Sequence, residues 1–326
     1  MNRTTQQNRP TFKDIFSAQQ RISGPVKNTP LIESLALNNL LGCKIWCKCE
    51  NLQGTGSFKL RGASNAISRL AEQGITSDVA THSSGNHGAA LARAARLDGR
   101  NAWVVMPENA VAAKIEAVKR YGGKVVFCEP NQLAREEGLA RLVKQGFIPI
   151  PPYDHPDIIA GQGTVALEIL SVKTDLDILM TPVGGGGLIS GSAIIARHLN
   201  PAMTIIGAEP LGAADTAESF SRSCRVTSWQ PDTIADGLRA LVGELTFPII
   251  LDLVNQILTV TEEGLINAME LIFEHLDMTI EPSSATVIAA IMEYPSIFAE
   301  KEVGIVLSGG NIDTHKFPHL TKAGND

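Results

Sequence analysis

The chain has 326 residues, is 44% hydrophobic and carries a formal net charge of -6, from 28 basic and 34 acidic side chains. That length and apolar content suffice for one large core or two moderate ones, and an acidic balance without any basic run excludes a nucleic-acid surface. No apolar run approaches the roughly 20 residues of a spanning helix, and Met1 to Pro10 is polar, so no membrane span or signal peptide is expected and the protein is assigned to the cytoplasm.

In chain order, Phe12 to Ile22 has helical spacing, Asn28-Thr29-Pro30-Leu31 reads as an extended entry, and Leu35 to Leu41 as a short helix. Cys43, Cys47 and Cys49 share one parity in a strand-like segment. With no second Cys or His pair nearby, they read as one face of a strand rather than a metal site, and all five cysteines are expected to be reduced. Gly54-Thr55-Gly56-Ser57-Phe58-Lys59 then turns into a helix, with Ser57 expected as its cap and Lys59 in its first turn. A lysine there feels the positive helix end, and with burial its pKa falls toward the range of a nucleophile or base.

Compact βα units follow. Strand Val79 to His82 leads to helix Gly88 to Arg96, strand Ala102 to Met106 to helix Ala112 to Tyr121, and strand Lys124 to Cys128 to helix Gln132 to Lys144. Such short alternation predicts an open parallel sheet that binds ligands at the carboxyl ends of its strands, where Ser83 to Gly88 lies. Prolines 149, 151, 152 and 156 mark the return to a second lobe. That lobe contains helix Ile159 to Leu170 and strands Asp177 to Val183, Met203 to Glu209, Gln256 to Val260 and Val303 to Leu307, with Thr261 capping a helix. Gly184, Gly185, Gly186 and Gly187, with Leu188, join a strand to a helix. Four glycines free the backbone N–H groups for a phosphate; the pattern lacks the third glycine of a dinucleotide fingerprint and the Gly-Lys-Ser/Thr of a P-loop.

A Schiff-base lysine beside a phosphate cradle points to pyridoxal phosphate. Four motifs in order, Ser57 to Ala63, Ser83 to Gly88, Gly184 to Gly187 and Ser308-Gly309-Gly310-Asn311, resemble those of the fold-type II pyridoxal phosphate enzymes, in the threonine/serine dehydratase and serine racemase family. The resemblance spans about residues 12 to 314. It implies a two-lobed α/β fold like that of the tryptophan synthase β chain, with a large cofactor domain (1–68 and 156–326) and a small inserted domain (69–155), assembled as a homodimer or homotetramer.

The same resemblance assigns roles. Lys59 would bind the cofactor as a Schiff base after Phe58. Asn86, the glycine loop with Leu188, and Ser308 would hold the cofactor. Ser83, Ser84, Asn86, His87 and Arg135 would meet an amino-acid substrate, with Ser84 as the acid on the face opposite Lys59. Glu209, the Ala213 carbonyl and Asp215 would bind magnesium, manganese or calcium, although the two acids also read as solvated loop residues. A neutral Ser308 facing the ring nitrogen suits α,β-elimination. The expected activity is therefore an L-threonine/L-serine ammonia-lyase, with serine racemase or L-threo-3-hydroxyaspartate ammonia-lyase as alternatives, and Arg239 as a candidate for a second substrate carboxylate. Ala89 departs from the glutamine of nucleotide-activated racemases, and Ser284 from the usual glycine.

Overall fold

The computed structural model describes residues 9–83, 85–313, 317 and 320. In chain order the strands are β1 (Leu31–Glu33), β2 (Lys44–Cys49), β3 (Val79–Thr81), β4 (Ala102–Pro107), β5 (Lys124–Cys128), β6 (Ile148–Pro149), β7 (Ile178–Pro182), β8 (Thr204–Pro210), β9 (Gln256–Val260) and β10 (Glu302–Leu307). The helices are α1 (Phe12–Arg21), α2 (Leu35–Leu41), α3 (Lys59–Glu72), α4 (Asn86–Leu97), α5 (Ala112–Arg120), α6 (Gln132–Lys144), α7 (Pro156–Val172), α8 (Gly187–Leu199), α9 (Asp215–Arg222), α10 (Thr246–Leu253), α11 (Glu262–Leu276), α12 (Pro282–Glu293) and α13 (Pro295–Phe298).

The strands form two sheets, one of six in the order β1-β2-β10-β7-β8-β9 and one of four in the order β5-β4-β3-β6. Every pairing is parallel except β1 with β2. Because successive side chains of a strand point to opposite faces, a parallel sheet buried on both sides needs apolar residues at every position. The central strands meet that demand. Met180, Ile206 and Ile305 face a core with Leu265 and Ile272 of α11 and Val287 of α12, while their neighbours Leu179, Ile205 and Val306 face Ile169 of α7 and Ile189 of α8. In the smaller sheet Val79 and Val104 pack on Leu91 of α4, and Ala80 and Val105 on Leu142 of α6. Each fully buried Leu, Ile or Val contributes roughly 1.5–3 kcal/mol.

Parallel order also decides where chemistry can sit. The residues after β2, β7, β8 and β10 leave the large sheet from one edge, and those after β3, β4 and β5 leave the small sheet likewise, so the loops carrying the sequence motifs gather at strand carboxyl ends. Helix α3 joins the halves, packing on α7 and on α4, and the expected domain boundary at residue 68 falls inside it.

The start of α3 differs from expectation. Ser57 does not cap it: Phe58 holds the capping position with no side-chain bond, and Ser57 Oγ is buried with no partner among the described residues. Tertiary pairing takes the place of the cap. Ser57 bridges to Gly309, and the Phe58 N–H donates to the Ser308 carbonyl at 3.0 Å. The Thr261 cap forms as expected, accepting from the Gly264 N–H at 3.0 Å.

One turn into α3 lies a buried ion cluster. Arg61 donates to both oxygens of Glu50 (2.9 and 2.7 Å) and both of Glu168 (2.8 and 2.7 Å), and Lys48 Nζ meets Glu168 at 2.6 Å and the Thr29 carbonyl at 2.6 Å. Two cations face two anions, so the cluster is neutral. It ties α3 to the end of β2 and to α7.

Candidate active site

Lys59 opens α3 at the junction of the halves. Its side chain is half-buried, its Nζ donates to the Pro152 carbonyl at 2.9 Å, and it lies 5.0 Å from the centre of the Phe58 ring. Burial lowers its pKa from 10.5 to about 8, against the opposing pull of Glu281. No carboxylate pairs with it among the described residues, so the amine loses its proton far more readily than a surface lysine does.

Glu281 heads the Glu281-Pro282-Ser283 segment that precedes Ser284 in the family pattern, but no role is expected of its side chain from the sequence. It stands at the start of α12, 5% exposed, and takes the Asn86 amide on both carboxylate oxygens at 2.9 Å. Burial raises its pKa to about 7, with the nearby charge of Asp236 adding and the Asn86 bond subtracting. Asn311 completes the chain, donating to Asn86 Oδ1 at 2.8 Å and to the Thr55 carbonyl at 2.9 Å. Loops from both halves, three of them carrying the expected motifs, thus meet at Asn86, whose amide is engaged by protein groups on both ends.

His87 is buried in the first turn of α4. Its Nε2 lies 3.0 Å from the Ile150 carbonyl, which can only accept, so Nε2 carries the hydrogen, and Nδ1 is left without a partner among the described residues. Burial, with Lys59 nearby, lowers its pKa to about 3, so the ring stays neutral. Ser83 is half-buried just before this turn, and Ser84 lies outside the described residues. Arg135 is half-buried in the first turn of α6; its Nε has no partner, and no carboxylate pairs with it among the described residues.

The glycine loop follows β7 and opens α8. Gly186 holds the capping position at φ +88°, and a side chain on Gly185 would place its Cβ 2.3 Å from the Tyr153 ring. Among the described residues no protein acceptor takes the N–H groups of Gly184, Gly185 or Gly186, which leaves them for an anion at the positive end of α8. Leu188 is buried behind them. Tyr153, a second residue missed in the sequence, follows Pro152, so one short segment holds Lys59 and walls the glycine loop. Ser308 is buried at the end of β10.

These residues fit pyridoxal phosphate. They offer an amine of depressed pKa for its aldehyde, free amide donors where a Cβ would intrude for its phosphate, and a neutral hydroxyl at the strand end that packs against the Lys59 loop.

Glu209 lies near the end of β8 and Asp215 opens α9, both buried, as is Ala213. Glu209 Oε1 accepts from the Ala217 N–H at 2.6 Å, while its Oε2 is buried without a partner among the described residues. Burial, with Asp215 nearby, raises its pKa to about 8, and burial raises that of Asp215 to about 6. The two acids lie near each other, but among the described residues no group of three or more His, Cys, Asp or Glu side chains is gathered for a metal ion. The cysteines behave as expected: Cys43, Cys47 and Cys49 are buried in the large-sheet core, and burial holds their thiols protonated. Arg239, the candidate for a second substrate carboxylate, instead donates through Nε and Nη2 to the Thr233 carbonyl at 3.2 and 2.5 Å.

A model of the pyridoxal-phosphate dependent enzymes matches residues 22–309. The serine racemase of Dictyostelium discoideum is 45% identical over 308 residues, 93% of this chain and 95% of that protein. The beta-hydroxyaspartate dehydratase of Paracoccus denitrificans is 41% identical over 310 residues, covering 95% of this chain and 98% of its own. The structure of maize serine racemase superposes with a TM-score of 0.92 at 40% identity, covering 95% of this chain and 96% of that one. Among the described residues no helix is long and apolar enough to cross a membrane. The chain belongs to the fold-type II pyridoxal-phosphate dependent enzymes, in the group that holds the serine racemases, threonine dehydratases and hydroxyaspartate dehydratases.

Proposed function

We propose that the chain is an ammonia-lyase of β-hydroxy α-amino acids, with 3-hydroxyaspartate ahead of L-serine and L-threonine. The named relatives favour the alternatives raised from the sequence over the L-threonine/L-serine lyase expected first: the Paracoccus relative, matched over almost its full length, is a hydroxyaspartate dehydratase. The observation that carries elimination is Lys59, an amine of depressed pKa held on the Pro152 carbonyl, with Ser308 closing the site as a neutral hydroxyl.

When bound, the cofactor supplies an electrophilic carbon for amino groups and a ring that acidifies the substrate Cα–H. Lys59 and the Gly184–Gly187 amides would hold it. Lys59, once free, takes the Cα proton at Nζ, and the Pro152 carbonyl keeps that nitrogen in one position. Ser308, a neutral hydroxyl, would give a bound ring no negative partner, which favours loss of the β-hydroxyl over storage of charge; the hydroxyl would leave as water with the proton that Lys59 Nζ removed. The enamine released hydrolyses to a 2-oxo acid and ammonia. His87, a neutral donor to Ile150, and Asn86 shape the first turn of α4, whose N–H groups suit the substrate carboxylate. Glu209, Asp215 and the Ala213 carbonyl would hold a magnesium, manganese or calcium ion away from the reacting atoms.

Serine racemisation is the second reading, favoured by the Dictyostelium relative; on it Ser84, which lies outside the described residues, would be the proton donor that the family resemblance implies. Parallel assays on L-serine, D-serine, L-threonine and L-threo-3-hydroxyaspartate separate the two. Oxo acid and ammonia formed fastest from 3-hydroxyaspartate support the lyase; D-serine as the main product of L-serine overturns it.

A further inference from the structure

Most charged groups around the site are accounted for by the site or by the ion cluster on α3, but one pair that spans the two halves is not. Lys114 sits in the first turn of α5, the end of a helix where a positive charge is least favoured, and pairs with Asp236 of the other half. Local helix chemistry does not explain a lysine there.

Asp236 begins a short turn, Asp236–Leu238, that is wedged into the site. The Gly237 N–H donates to Ser283 Oγ at 3.0 Å, and a Cβ on Gly237 would lie 3.8 Å from Glu281 Oε1. On its other side, a Cβ on Gly184 of the phosphate loop would stand 3.0 Å from Leu238 Cα. The turn therefore forms a wall between the glycine loop and the Glu281–Asn86 contact. Glu281 feels the charges of both Asp236 and Lys114. Lys114 and Asp236 are 36% and 44% exposed, so the pair is open to exchange with a dissolved carboxylate. Arg239, three residues on, is tied to the Thr233 carbonyl, whereas Lys114 is the cation whose charge reaches Glu281.

We propose that Lys114 selects a second carboxylate on the substrate: Asp236 occupies it in the free enzyme, and the β-carboxylate of 3-hydroxyaspartate takes the place of Asp236. This rests on the reading of the substrate class given above. L-Serine and L-threonine lack that carboxylate and leave the pair intact. Lys114→Met thus removes an attraction that only dicarboxylic substrates use.

The test uses holoenzyme with Lys114→Met and Asp236→Asn. The ratio of kcat/KM for 3-hydroxyaspartate to that for L-serine should fall about ten-fold in Lys114→Met, through KM, as expected for one charged hydrogen bond, and rise in Asp236→Asn. A second arm needs no turnover of 3-hydroxyaspartate. L-Aspartate and L-alanine, neither with a leaving hydroxyl, compete with L-serine, and Lys114→Met should raise the inhibition constant of L-aspartate about ten-fold more than that of L-alanine. Parallel losses for both members of either pair would make Lys114 a structural latch and overturn the proposal, as would no change in L-aspartate inhibition. Failure of wild type to turn over 3-hydroxyaspartate would count against the proposed substrate, while the aspartate and alanine arm would still decide the role of Lys114.

Discussion

Two cations stand two positions apart at the start of α3, and the fold treats them in opposite ways. Arg61 is fully buried, yet both its faces meet carboxylates; burial works against its charge, but Glu50 and Glu168 outweigh that and hold its pKa above the usual value. Lys59 is less deeply placed but meets only a carbonyl, and its pKa falls. The same contrast holds for acids. Bonds from Arg61 outweigh burial and keep Glu168 below its ordinary range, whereas Glu281 and Glu209, which no cation pairs among the described residues, are pushed up. Satisfied charge fixes the frame, and unsatisfied charge is kept where a cofactor, a cation or a substrate can complete it.

The largest expected effect breaks the frame. Arg61→Met leaves Glu50 buried with no cation and Glu168 with Lys48 alone, and should destabilise the folded protein by about 3–5 kcal/mol. Lys59→Met should instead leave the cofactor-free protein at least as stable as wild type, since it removes an unpaired amine from the interior. Thermal melts of the two apo-proteins check both, and equal losses would abolish the contrast.

The pH dependence sharpens it. The folded-state pKa of Lys59, about 8, lies below its ordinary 10.5, so between those values the unfolded chain binds more protons and wild type gains stability as pH rises. The advantage of apo Lys59→Met should therefore be full below pH 8 and shrink toward pH 10.5. Glu281 has the opposite sign. Its pKa is raised from 4.5 to about 7, so its ionisation weakens the fold as pH climbs through that window, and Glu281→Gln should remove the inflection near 7 from the pH profile of kcat/KM.

Smaller effects belong to the cation site and to Ser84. A cation bound only by the folded state at a hundred times its Kd adds about 2.7 kcal/mol, so magnesium or manganese should raise the wild-type melting temperature and leave that of Glu209→Gln unmoved. Ser84→Ala should keep much of the ammonia release from L-serine and lose D-serine formation; loss of both would give Ser84 a part in elimination.

What could be read in the sequence was what short range encodes. The βα alternation from Val79 to Lys144, the glycine run, the parity of the cysteines and the position of Lys59 all depend on neighbours a few residues apart, and the structure places them accordingly. What could not be read depends on partners far along the chain. Glu281 reaches Asn86 across 195 residues, Arg61 meets Glu168 across 107, and Lys59 finds Pro152 across 93. Ser57 has the chemistry of a cap, but the bridge to Gly309 fixes its backbone first. Arg239 looked free because its acceptor is a main-chain carbonyl, which no side-chain pattern announces. Helices α9, α10 and α12 also went unread, since loops that fold around the site lead into them.

The central claim is that Lys59 is the amine to which this fold gives the cofactor. Borohydride reduction of the holoenzyme, followed by peptide mapping, tests it most directly. The account predicts one reduced adduct, on Lys59, with the visible absorbance lost on trapping and absent from Lys59→Met. An adduct on any other lysine, or a Lys59→Met protein that still takes up and traps the cofactor, would contradict it.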